Sequence, residues 1–226
     1  MAEPLSPRDA EFLKTYDASR YEHPSVAVDL CIFSIVNGAL TVHLVERKEP
    51  PCEGRHSLPG GFVRIDESLE DAARRVLREK ARLEGVYVEQ LYTFGEVGRD
   101  PRTRVITVAY YALIGRKAEE LPRELTPFPV SKLPPLAFDH NRILEVAVTR
   151  IQGKLDYTTI AFELMPREFT LTELQKVYEI ILERRLAKPA FRRRILASGV
   201  VKETTKMRRG GHRPAILYRF VEGRRG

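Results

Sequence analysis

The chain has 226 residues, 43% of them hydrophobic, which fits a globular protein of one large or two small domains and excludes a low-complexity one. No apolar stretch approaches the length of a membrane-spanning helix, and the charged N-terminus lacks a signal-peptide core, so a cytoplasmic location without a membrane partner is expected. The net charge of +7 is unevenly held: residues 1–136 carry 19 Lys and Arg against 21 Asp and Glu, and residues 137–226 carry 19 against 10, so two domains with those bounds and different partners are expected, the basic one a nucleic-acid candidate.

In chain order, Ser6-Pro7 reads as an N-cap and first helical residue of a short helix ending near Thr15. Ser25 to Val36 is rich in Val, Ile and Phe and reads as a strand, Asn37-Gly38 as a two-residue hairpin turn, and Leu40 to Val45 as the returning strand. Cys31 falls inside the apolar strand pattern and Cys52 in a Pro-rich loop; without a Cys-x-x-Cys spacing they read as free thiols. Ser68 or Asp66 can cap a helix whose first turn is acidic and whose apolar stripe is Ala72, Ala73, Val76 and Leu77, with Gly85 as its C-cap. Val86 to Thr93 and Val105 to Ile114 read as further strands, and the five prolines between Pro122 and Pro135 as a closing strand and linker.

The segment from Leu58 to Lys80, Leu-Pro-Gly-Gly-Phe-Val-Arg-Ile-Asp-Glu-Ser-Leu-Glu-Asp-Ala-Ala-Arg-Arg-Val-Leu-Arg-Glu-Lys, resembles a Nudix box, G-x5-E-x7-R-E-U-x-E-E-x-G-U with U aliphatic. Gly61, Glu67, Arg75 and Glu79 match, whereas two helix carboxylate positions hold Val76 and Lys80 and the late glycine is Arg82. In an active member, carboxylates at i, i+3 and i+4 share one helix face and bind magnesium, which neutralises the diphosphate and activates water. One carboxylate beside an ammonium is a poor divalent site, so no catalytic residue is expected (Glu67 and Glu79 are the residual candidates), Glu79 is a weak metal candidate, and the domain is expected to bind without cleaving. No cofactor is expected, with magnesium entering only if hydrolysis persists. Alternatively, Glu79 is a solvated residue pairing with Arg75 or Arg82.

Beside the box, the loop Gly95 to Arg104 offers Arg99, Arg102 and Arg104 as phosphate or ribose contacts, or else is a solvated hairpin loop. Arg47, Lys48, Arg55 and His56 approach from the other side, His56 as a ligand contact or a plain surface histidine. The candidate ligand set is therefore Arg47, Arg55, His56, Gly60, Gly61, Glu79, Arg99, Arg102 and Arg104.

The basic half reads as a winged helix-turn-helix. Asp139 can cap a helix to about Gln152, and Thr170-Leu-Thr-Glu173 is a capping box before a helix with Leu174, Val177, Tyr178, Ile181 and Leu182 on one stripe. A turn over Arg184 to Lys188 precedes an arginine-dense helix to Ser198, ended by Gly199, then paired strands over Val200 to Thr205 and Ala215 to Phe220 joined by a wing from Lys206 to Arg213. Lys188, Arg192, Arg193, Arg194, Lys206, Arg208, Arg209, His212 and Arg213 are the candidate DNA contacts, since phosphate neutralisation supplies the sequence-independent part of DNA affinity. The alternative is a solvated basic face.

Taken in order, Tyr21-Glu-His-Pro-Ser-Val26, the degenerate box, Gly98-Arg-Asp-Pro-Arg102, Ala137-Phe-Asp-His140, Ile160-Ala-Phe-Glu-Leu164, Phe169-Thr-Leu171 and Phe191-Arg-Arg193 resemble the NrtR family, the Nudix-related transcriptional regulators of NAD metabolism. The resemblance spans roughly residues 20 to 220. It implies a mixed α+β protein, a Nudix α/β/α sandwich followed by a winged helix-turn-helix. It also implies a homodimeric repressor that binds an operator in double-stranded DNA and senses ADP-ribose or a related nucleotide. The rival readings are an active ADP-ribose pyrophosphatase, and a DNA-binding protein whose Nudix-like domain only dimerises.

Overall fold

A computed structural model describes residues 5–115, 121–208 and 214–221. Helix α1 (Pro7–Thr15) starts at Ser6, whose side chain accepts from the Asp9 N–H, and buries none of its residues. Strands β1 (Ser25–Val36) and β2 (Ala39–Glu46) form the expected hairpin, with Asn37 and Gly38 both at positive φ (50° and 76°), as a tight turn between right-twisted strands requires. Short strand β3 (His56–Ser57) precedes the box, β4 (Gly60–Phe62) carries its start, and β5 (Tyr87–Phe94), β6 (Val105–Leu113) and β7 (Leu125–Pro129) complete the sheet. Its main path runs β3-β2-β1-β6-β5, with β4 on β1 and β7 on β2; β1 and β6 are parallel, from Ser25 opposite Val105 to Phe33 opposite Leu113.

The central strands are buried on both faces because their alternate residues serve different layers. Val28, Leu30 and Ile32 of β1, with Val108, Tyr110 and Ala112 of β6, pack beneath helix α2 (Leu69–Val76) through Ala72, Ala73 and Val76. Cys31 and Phe33, with Tyr111 and Leu113, face helix α3 (His140–Lys154) through Ile143, Leu144, Ala147 and Ile151. Helix α3 thus closes the second layer of the sandwich although it lies on the basic side of residue 137. The same apolar cluster continues without a break into the C-terminal helices.

Helix α2 is capped by Ser68, which accepts from the Asp71 N–H, and it runs into a π-helical turn, Leu77–Ala81. The helix is ended by Arg82 in the left-handed region (φ 54°) rather than by Gly85, which adopts φ 62° in the turn beyond. Asp139 likewise precedes α3 without capping it through its side chain, because its carboxylate is taken by Arg99.

In the C-terminal part, α4 (Leu171–Leu182) begins with the full capping box of Thr170 and Glu173. Gln175 donates to the Leu186 carbonyl (3.0 Å) and Glu179 accepts from the Leu186 N–H (2.8 Å), which fixes the turn into α5 (Lys188–Ala197). Strands β8 (Val201–Arg208) and β9 (Ala215–Phe220) form a two-stranded antiparallel sheet. Helix, turn, helix and paired strands follow one another as in a winged helix-turn-helix.

Candidate functional site

A cleft of about 340 Å³ opens where β1, β2, β4, the loop after β5 and the N-terminal end of α3 meet. Its floor is set by a close crossing of backbone: a Cβ on Gly60 would stand 2.3 Å from the Asp29 carboxylate and 2.8 Å from the Val28 carbonyl, so only glycine lets β4 lie against β1 there. Of the residues read from sequence as ligand contacts, Arg47, Gly60, Gly61, Arg99 and Arg102 line this cleft.

The others are placed elsewhere. Arg55 closes the β2–β3 hairpin by backbone bonds with Arg47 and Cys52, and the His56 ring packs edge-on against Phe128 (4.7 Å between centroids). Arg104 donates to the Glu96 carbonyl at 3.0 Å, and Lys48 pairs with Glu46 at 3.1 Å. Glu79 pairs with Arg75 at 3.2 Å and with Arg64 at 3.5 Å.

Two of the cleft arginines are structural. The Arg99 side chain is buried and grips Asp139 with two hydrogen bonds (2.9 and 2.6 Å), and it stands 3.7 Å from Asp29. Arg102 is held to Asp100 by two hydrogen bonds (3.0 and 2.7 Å), and this pairing keeps the Asp100 carboxyl below the usual carboxylate range. Its guanidinium lies over Phe62 and Phe138, 5.7 and 5.6 Å from the ring centroids, while Arg47 covers Phe138 from 4.9 Å. Phe138 has φ 55°, a conformation that a bulky residue adopts at a cost of about 1–2 kcal/mol, and its half-buried ring forms a wall of the cleft.

Asp29, Lys80, Phe62, Phe138 and His140 also line the cleft and were not singled out as contacts from sequence. His140 is buried; its Nδ1 accepts from the Leu58 N–H at 2.9 Å, so the proton resides on Nε2, 3.7 Å from Asp29. Burial pulls its pKa below the ordinary histidine value despite that carboxylate. The sequence signals for this group were the Ala137-Phe-Asp-His140 motif, Lys80 in the box, and Asp29, a charge inside the apolar run from Val26 to Phe33.

The glutamates of the box are engaged by arginines. Val76 is packed in the core against Gly61, Glu67 is held by Arg75 (2.6 and 2.8 Å), and Glu79 faces two arginines. Among the described residues no group of three or more His, Cys, Asp or Glu side chains is disposed to hold a metal ion.

The candidate DNA face is built on α5. Phe191 and Ile195, four residues apart, are buried, with Phe191 set edge-on to Tyr178 at 5.2 Å, and this turns Arg192 and Arg193 outward. Lys188, Arg192 and Arg193 are exposed and have no ion pair with any described residue. Arg194 is directed back, lying 5.5 Å from the Tyr178 ring centroid and 3.7 Å from Asp156. Lys206 pairs with Glu168 (2.9 Å) and Arg208 with Glu173; both are on β8, which extends further than the sequence reading placed it. Arg209, His212 and Arg213 lie outside the described residues.

A Nudix sandwich with two of its box carboxylates replaced, by Val76 and Lys80, and a core shared with a winged helix define the class of this protein. Residues 25–145 match the model of the NUDIX domain and residues 161–220 that of the NrtR DNA-binding winged helix domain. The chain is 44% identical over 219 residues to the ADPR responsive transcriptional repressor NtrR of Acinetobacter baylyi, covering 93% of this chain and 87% of that protein. It is similar to the crystal structure of Shewanella oneidensis NrtR complexed with a 27mer DNA (TM-score 0.80, 35% identity, 87% of this chain and 93% of that one). It is also similar to the NUDIX domain of that protein complexed with ADP ribose (TM-score 0.56, 35% identity, 67% of this chain and 99% of that one). The chain belongs to the NrtR family.

Proposed function

We propose that this protein is an ADP-ribose-responsive transcriptional repressor. Its cleft binds ADP-ribose or a close relative, its winged helix binds operator DNA, and occupancy of the first changes affinity for the second. The observation that carries this reading is the shared construction of the two parts: the cleft wall formed by Phe138 and His140 lies at the N-terminal end of α3, whose apolar face holds both the sheet and α4. A ligand that favours one placement of that wall thereby biases the placement of the winged helix.

The chemistry of the lining suits the ligand. Phe62 and Phe138, stacked with the Arg47 and Arg102 guanidiniums, line the cleft with planar groups against which a base can pack, and cations surround the space left for a diphosphate. The protein acts as a homodimer, with two winged helices reading the halves of a palindrome whose spacing is fixed by the DNA helix. It works in the cytoplasm on genes of NAD metabolism or related ones, and it needs no metal. Titration of DNA taken from upstream of the protein's own gene, at fixed salt, with and without ADP-ribose, tests the reading. Specific binding that shifts with the nucleotide is expected; binding indifferent to it, or magnesium-dependent release of AMP without specific DNA binding, would overturn it.

A further inference from the structure

Four cationic side chains line the cleft: Arg47, Lys80, Arg99 and Arg102. Three are already engaged. Arg99 is committed to Asp139 and Arg102 to Asp100, each through two hydrogen bonds, and Arg47 gives its Nε to the Pro51 carbonyl (2.7 Å) and one terminal nitrogen to that of Glu49 (3.3 Å). Lys80 makes no hydrogen bond or ion pair with any described residue, and its side chain is exposed at the cleft. It is carried there by the π-helical turn after α2, which directs the neighbouring Glu79 away to Arg75 and Arg64. The carboxylates of the lining are matched as well: Asp29 by Arg99, Glu46 by Lys48 and Asp100 by Arg102. Arg47 and Lys80 are therefore the cleft cations without a carboxylate partner among the described residues, and Lys80, whose three donors are all free, stands at the very box position where a metal-dependent Nudix protein holds a carboxylate.

We propose that the Lys80 ammonium takes the electrostatic place of the divalent cation, so that the cleft binds the diphosphate of its nucleotide without metal. An ammonium presents three donors to phosphate oxygens and repels a cation from the same space. Unlike a metal it has no coordination position in which to bind and acidify water, so it supports binding and withholds the attack that would split the diphosphate. This rests on the reading of the cleft as an ADP-ribose site.

Calorimetric titration of the full chain with ADP-ribose, first in EDTA and then in magnesium or manganese, tests it. The wild-type affinity is expected to be the same in all three. Lys80→Ala is expected to weaken binding about 10- to 100-fold, the worth of a hydrogen-bonded charge, with a shallower dependence on salt. Lys80→Arg retains most of the affinity. Lys80→Glu weakens binding in EDTA and regains part of it with manganese, a response that a merely structural residue would not give. Because Lys80 is exposed, unchanged thermal melts are expected for all three variants. Wild-type binding that requires metal, or Lys80→Ala binding within twofold of wild type, overturns the inference and leaves the ADP-ribose reading intact. No binding of ADP-ribose to the wild type under any condition overturns both.

Discussion

At the scale of residues, the box separates into positions that hold shape and positions that touched chemistry. Arg75 joins the two ends of its loop by binding both Glu67 oxygens and the Phe62 carbonyl. The Arg75 hydrogen bonds hold the Glu67 carboxyl down to about 2. A folded-state value below the unfolded one means that the pair stabilises the fold above about pH 4.5 and loses that contribution as pH falls toward 2. Glu67→Gln is therefore expected to melt below wild type at neutral pH, with the gap closing over that window in melts recorded from pH 7 downward. Glu67 and Arg75 were legible because their spacing matches the box. Arg99 was legible only as a cation: its engagement by Asp139, forty residues away, is decided by tertiary placement that no local pattern reports. Phe138 was legible only as part of a motif, not as a cleft wall, since a phenylalanine gives no sign of the positive φ it adopts there.

Among the elements, strands and caps were the most readable features. The two-residue turn at Asn37-Gly38, the Thr170 capping box and the Ser6 cap all depend on neighbours within three residues, and each forms as its sequence dictates. Helix ends with more distant obligations were read less well, as Asp139 shows. Arg82 is instructive because the Nudix pattern places glycine there and this chain holds arginine in a left-handed conformation. Relief of that strain, less the chain entropy that glycine adds to the unfolded state, is expected to make Arg82→Gly more stable by about 0.5–1 kcal/mol in urea unfolding. Helix α5 gives a second contrast. Arg192→Ala and Arg193→Ala are expected to weaken operator and non-operator binding alike, and to lower the slope of log affinity against log salt by about 1 for each phosphate left without its arginine. Arg194→Ala is expected to lower the melting temperature instead, because that guanidinium covers Tyr178 and Phe191.

For the whole molecule, helix α3 is the common member of both halves. It is pinned to the sheet domain at each end, by Arg99 to Asp139 and by Lys154 to Glu89 (2.6 Å), and one face along its length is buried. The second ion pair lies outside the cleft, so Glu89→Gln separates transmission from binding. ADP-ribose affinity measured by calorimetry is expected to be unchanged, while the change in operator affinity caused by the nucleotide shrinks, the full coupling being of the order of 1–3 kcal/mol. The bipartite charge pattern made two domains readable in sequence, but the unbroken core between them was not, because apolar residues on a helix do not declare which neighbour they will cover.

That unbroken core also shapes how the protein is made. When residues 1–136 have left the ribosome, the strands of the sheet are complete, yet Cys31, Phe33, Val42, Leu44, Tyr111 and Leu113 have no layer above them. Their cover arrives with α3, whose last residue emerges roughly 20 residues later, so at a synthesis rate of about 5–20 residues per second the nascent chain exposes an apolar sheet face for about one to four seconds. A pause in translation with residue 136 at the tunnel exit would prolong that exposure and invite chaperones or aggregation, whereas one after Lys154 has emerged would find the sandwich already closed.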